Sequence, residues 1–151
     1  MSLALEQARL AAARGEVPVG AVLVKDGAVV ARGGNTREAG GDVLGHAEVE
    51  VLRQGARVLG DWRLTGCTLY VTLEPCPMCA GACLNARVDR VVYGAADPVA
   101  GCLGSVFNLF AMDFPQRPRI VAGVLEEECR QLLSEFFAGR RLRDGAYDDG
   151  N

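Results

Sequence analysis

Apolar positions along the chain fall at helical spacing in some stretches and alternate in others. Leu3, Ala4, Ala8, Leu10 and Ala11, with Gln7 among them, keep the helical period, and Gly15 supplies a C-cap. Val17–Val24 reads as a strand that is apolar on both faces, as expected of one covered from both sides. Lys25-Asp26-Gly27 turns the chain into a second strand, Ala28–Arg32, making a hairpin. Residues 33–45 hold five glycines, at 33, 34, 40, 41 and 45, and are expected to form a long loop. Long loops in compact domains often carry function. A helix is expected over His46–Leu59, with Val49, Leu52, Ala56 and Leu59 on one face. Cys67–Leu73 is a third strand, Pro75–Arg87 another amphipathic helix, and Arg90–Tyr93 a fourth strand. Asp97–Ser105 reads as a loop leading to a short helical or irregular stretch at Val106–Ala111. Arg119–Val124 is expected as a fifth strand and Glu126–Phe137 as the last helix, with Leu132, Leu133, Phe136 and Phe137 inward. Residues 139–151 form a polar C-terminal tail that should fray.

This order implies an α/β fold: one three-layer α/β/α domain over residues 1–138 around a mixed five-stranded sheet. The opening hairpin is antiparallel, and the later strands are parallel through right-handed crossovers. Ligands in such sheets collect where strand ends meet helix N-termini. At 151 residues, half of them hydrophobic and 23% charged, the chain is one ordinary domain and not a disordered segment. A net charge of −3 argues against coating nucleic acid by bulk charge and leaves a local basic patch as the electrostatic route to it. Six cysteines are too few for a secreted disulfide scaffold. Glu6, Arg9 and Arg14 interrupt any signal-peptide core, and the longest uncharged apolar run, Val17–Val24, is far short of the ~20 residues that span a bilayer. The expectation is a cytoplasmic chain, away from membranes, whose reduced thiols serve as metal ligands or core residues.

The single histidine, His46, stands two residues before Glu48 at a helix start. After a gap of 26 residues, Pro75-Cys76-Pro77-Met78-Cys79 opens another helix and places two thiols one turn apart. Taken singly, His46 is a cap or surface residue, and Cys76 and Cys79 are core thiols or a redox pair. Pro77-Met78 between the thiols and Cys83 on the same face weaken the redox reading. Together, His46, Cys76 and Cys79 supply three zinc ligands, and no second histidine or distant Cys-x-x-Cys pair is present to close the shell. Cys83 lies about 10 Å along the helix from Cys76 and reads as core, as do Cys67, Cys102 and Cys129. Two thiolates cancel the charge of Zn2+, which weakens its acidifying effect on water and calls for a nearby base; Glu48 fits that role. A non-catalytic zinc module is the contrasting class, and it has no use for Glu48.

H-x-E followed by P-C-x-x-C is the signature of zinc-dependent nucleobase deaminases. Val17-Pro18-Val19-Gly20-Ala21-Val22, Asn35, His46-Ala47-Glu48 and Tyr70-Val71-Thr72-Leu73-Glu74-Pro75-Cys76 with Met78-Cys79-Ala80-Gly81-Ala82 resemble the bacterial tRNA-specific adenosine deaminases. The likeness runs from about residue 3 to Phe137 and implies a cytidine deaminase-like fold with one Zn2+ per chain. The implied reaction is hydrolytic deamination of adenosine to inosine at the wobble position of a tRNA anticodon loop. By the same resemblance, Glu48 shuttles protons from the activated water to ring N1 and to the departing amine. Asn35 holds the purine edge, Val19 and the backbone of Ala47 line the base pocket, and Asp97 stands beside the RNA backbone. Arg140, Arg141 and Arg143 are candidate phosphate contacts, and the resemblance implies a tRNA anticodon stem-loop as partner and a homodimeric chain. Val99 stands where many relatives carry a lysine, which keeps open the alternative of a deaminase for free guanine, cytosine or cytidine.

Overall fold

The computed structural model describes residues 1–145, with side chains through Leu142. The elements in order are α1 (Ser2–Ala13), β1 (Gly20–Lys25), β2 (Ala28–Gly34), α2 (Arg37–Gly40), α3 (Ala47–Leu59), β3 (Cys67–Leu73), α4 (Pro77–Ala86), β4 (Arg90–Ala95), β5 (Arg119–Val121) and α5 (Glu126–Gly145), with a 3-10 turn at Leu109–Ala111 before β5. The strands form one mixed sheet in the order β2-β1-β3-β4-β5. β1 runs antiparallel to both β2 and β3, while β3, β4 and β5 are parallel. This is the three-layer α/β/α architecture expected from the pattern of elements, and the cytidine deaminase-like fold that the resemblance implies.

The two faces of the sheet are packed differently. Leu23, Leu69, Val71 and Val91 meet Val51 and Leu52 of α3 and Ala80 and Cys83 of α4 in the main core. A smaller cluster of Leu5, Ala95 and Cys129 lies under α1 and α5. Here α1 lies almost against the strand backbone. Ala4, Ala8 and Ala11 are fully buried, and a Cβ on Gly20 would collide with the carbonyl of Ala4 and the amide of Ala8. Cys67, Cys83, Cys102 and Cys129 are buried thiols, as their apolar settings suggested.

Several element ends differ from the sequence expectation, each for a local reason. β1 starts at Gly20, not Val17, because Pro18 has no N–H for the ladder and the N–H of Val19 donates to Val17 O at 2.8 Å. The glycine-rich segment is not all loop: β2 reaches Gly34, and α2 forms within it. α4 begins at Pro77, with Cys76 as its N-cap, and ends at Ala86 before Arg87 takes a left-handed conformation (φ 57°). β5 stops at Val121, and left-handed Gly123 (φ 78°) then redirects the chain. α5 continues to Gly145, well beyond Phe137, because Ala138, Arg140, Arg141, Leu142 and Arg143 favour helix strongly enough to carry it past Gly139. The remainder of the expected tail, and the side chain of Arg143, lie outside the described residues. Among the described residues no helix is long and apolar enough to cross a membrane.

Candidate active site

The start of β1 and the ends of β2, β3 and β4 share one edge of the sheet, and α3 and α4 both begin there. His46 and Cys76 are the N-cap residues of these helices, in extended conformation (ψ 144° and 171°). Cys79 follows one turn into α4 and is fully buried. His46 Nδ1 stands 3.6 Å from Cys76 Sγ and 3.4 Å from Cys79 Sγ. All three ligand atoms lie within 4.8 Å of one another, and among the described residues no fourth His, Cys, Asp or Glu joins them. A tetrahedral ion with bonds of about 2.05 Å to nitrogen and about 2.3 Å to sulfur holds those atoms about 3.5 Å apart. The donor set therefore fits an ion of that size and geometry.

The electrostatics suit the same purpose. Hydrogen bonding to Cys79 and His46 lowers the Cys76 thiol to about 4, against the cost of burial. Cys79, sharing that proton with Cys76 and buried, is pushed well above the ordinary thiol range. His46 is raised, first by its hydrogen bond with Cys76. Both helix N-termini direct partial positive charge at the cluster, which favours thiolate. Glu48, in the first turn of α3, is only 4% exposed. Burial raises its carboxyl to about 7, placing it near neutrality for proton transfer.

A cavity of about 190 Å³ opens over this cluster. That is smaller than the ~300–1,000 Å³ of drug-sized pockets and suits one flat ring system. Val19, Asn35 and Asp97 line it together with His46, Glu48 and Cys76. Asp97 already uses Oδ1 to accept from the N–H groups of Val99 (2.9 Å) and Ala100 (3.2 Å), so it shapes its own turn. Ala47, between two lining residues, is fully buried and does not line the cavity. Arg140 and Arg141 lie on α5, away from the cavity lining, with the Arg140 guanidinium 5.8 Å over the Phe136 ring.

Sequence reasoning missed four residues that shape the site. Arg37, Glu38 and Glu74 line the cavity. Glu16, fully buried, accepts from the N–H groups of Glu38 (3.1 Å) and Ala39 (2.7 Å) in α2. Glu74 accepts from the backbone of Asp97 (3.0 Å), Leu103 (2.9 Å) and Ser105 (3.0 Å), and from the Ser105 hydroxyl. Burial would raise Glu74, but these hydrogen bonds hold it below the usual carboxylate range. For Glu16 and Glu74 the available signal was position, directly before Val17-Pro18-Val19 and directly before Pro75-Cys76; Arg37 and Glu38 carried no such mark.

A mixed sheet with a His-Cys-Cys cluster and a buried glutamate where two helices begin defines a deaminase of the cytidine deaminase-like class. A model of the MafB19-like deaminase family matches residues 1–141. The chain is 51% identical over 144 residues to the tRNA-specific adenosine deaminase of Bacillus subtilis, covering 95% of this chain and 88% of that one. A solved structure from a study of A-to-I editing by tRNA:A34 deaminases superposes with TM-score 0.85 at 47% identity, over 88% of this chain and 97% of the other. The guanine deaminase of Bacillus subtilis is also similar, at 37% identity and TM-score 0.61, over 91% of this chain and 89% of the other. The chain belongs to the MafB19-like deaminase family and, within it, to the tRNA-specific adenosine deaminases.

Proposed function

We propose that this chain is a zinc-dependent hydrolase that converts adenosine to inosine and ammonia at the wobble position of a tRNA anticodon loop. The observation that carries the chemistry is the His46–Cys76–Cys79 cluster at tetrahedral spacing beside buried Glu48. His46, Cys76 and Cys79 would hold one Zn2+. When bound, zinc supplies the Lewis acidity that makes water a nucleophile near neutral pH. Glu48 takes the proton released by that water and gives it to ring N1. Once the water oxygen has added at C6, Glu48 takes the second proton from the new C6 hydroxyl and delivers it to the amine, which departs as ammonia as the C6 carbonyl forms. The Asn35 amide meets the purine edge, Val19 lies against the ring, and Asp97 holds the rim on the RNA side. The cavity is narrow, so an extruded anticodon base enters it alone while the rest of the loop stays outside. Arg140, Arg141 and Arg143 are proposed phosphate contacts, and a cytoplasmic homodimer is the proposed working form.

The 51% identity to a tRNA-specific enzyme supports RNA as the substrate. Likeness to a guanine deaminase supports a free purine as the second reading. Incubating the purified, zinc-loaded chain with an anticodon stem-loop should yield inosine at the wobble position. Ammonia release from free guanine, with the stem-loop unchanged, would replace the first reading by the second.

A further inference from the structure

We infer that Glu16 and Glu74 are positioning residues that set the width of the cavity and so decide which base it accepts. The inference rests on the functional reading above for its substrate. Each carboxylate belongs to the segment just before a cavity-lining residue: Glu16 precedes Val17–Val19, and Glu74 precedes Pro75-Cys76. From there each bonds to a second segment that lines the cavity. Glu16 takes two backbone N–H groups of α2, whose Arg37 and Glu38 form one wall. Glu74 takes three backbone N–H groups and the Ser105 hydroxyl from the 97–105 loop, whose Asp97 and Ala100 form the other.

The second clamp is close-fitting. A Cβ on Gly101 would run into the Glu74 carboxylate, so only glycine lets the loop come this near. The N–H of Cys102 donates to Pro75 O at 3.1 Å, fastening the loop again beside the Cys76 ligand. Buried carboxylates fix backbone through short, charge-assisted bonds, and here both oxygens of Glu74 are shared between donors of the same loop. Neither residue has a part in the proton transfers assigned to Glu48. Their product is distance, the separation of two walls that grip a planar base.

Glu16→Gln and Glu74→Gln test this directly. A glutamine amide nitrogen cannot accept, so one carboxylate position in each clamp would face N–H groups with another N–H. Steady-state kinetics would use an anticodon stem-loop carrying adenosine, or 2,6-diaminopurine riboside, at the wobble position. The KM and the ratio of kcat/KM between the two substrates are independent of the fraction of folded, metal-loaded enzyme, which a merely structural role would change. The expected result is a KM for the adenosine stem-loop raised on the order of tenfold, with the preference for adenosine over the bulkier base falling several-fold. Ser105→Ala removes one donor only and should shift both values in the same direction by less; it decides the matter for the Glu74 clamp if the glutamine variants do not fold. KM and ratio within twofold of wild type in variants that retain metal would overturn the inference. A wild-type chain inactive on the stem-loop would refute the functional reading instead, and the same KM comparison on guanine would then decide the inference.

Discussion

Replacing Glu48 by glutamine should make the enzyme nearly inactive and, without metal, more stable. The side chain is 4% exposed, and burial raises its carboxyl from 4.5 to about 7. An acid whose proton is held more tightly in the folded state stabilises the fold below its unfolded value and loses that stability as pH rises through its folded value. The window therefore runs from about pH 4.5 to about pH 7. Each tenfold in proton affinity is worth ~1.4 kcal/mol, so the ionised carboxylate costs the metal-free fold about 3 kcal/mol above neutral pH. Glutamine keeps the shape and remains neutral throughout. Urea unfolding of both proteins with chelator present should show a small difference at pH 4.5 that grows to about 3 kcal/mol in favour of Glu48→Gln by pH 8. Turnover of the zinc-loaded variant should fall by roughly 10²–10⁴, the range for loss of a general acid–base group. A stability difference that stays flat from pH 5 to pH 8 would refute the burial argument. Activity within tenfold of wild type would refute the proton-shuttle role.

Other outcomes follow from the same geometry. Cys76→Ala removes a sulfur 3.6 Å from His46 Nδ1 and should lose bound zinc and lower the melting temperature; an unchanged metal content would show the ligand set to be wrong. Loading zinc at pH 7 should release at least one proton, since Cys76 is already a thiolate while Cys79, pushed well above the ordinary thiol range, still holds its own. Calorimetry in buffers of different ionisation enthalpy measures that number, and a value of zero excludes Cys79 as a ligand. Asn35→Ala should raise KM for the stem-loop by about tenfold, the worth of one hydrogen bond, and leave kcat less affected. Gly20→Ala forces a methyl into the α1 backbone and should lower stability by about 1–3 kcal/mol in denaturation, with zinc stoichiometry retained.

The hydrophobic pattern alone revealed most of the sheet, because β1, β3 and β4 bury apolar side chains in the core. The apolar alternation of β3 and the helical period of α3 are direct records of that burial. The clustering of His46, Cys76 and Cys79 was equally legible, because few side-chain types form such a donor set and the two thiols are spaced one helical turn apart. Element ends were less so. Val17 and Val19 look like strand residues, and only the missing N–H of Pro18 takes them out of the ladder. The last turns of α5 follow helix propensity without an apolar stripe, so no period marked them.

Glu16 and Glu74 escaped for a deeper reason. A reading by polarity assigns charged residues to surfaces and turns, yet Glu16 is 0% and Glu74 2% exposed. Nearly all their partners are backbone N–H groups, and every residue but proline has one, so the side-chain sequence contains no complementary mark to find. Ligand sets are legible because they depend on rare side chains. The walls of a cavity are not, because they depend on where common backbone groups end up after folding. For a deaminase that division matters: the proposed metal and base account for removing an exocyclic amine, whereas the walls are what we propose selects the base.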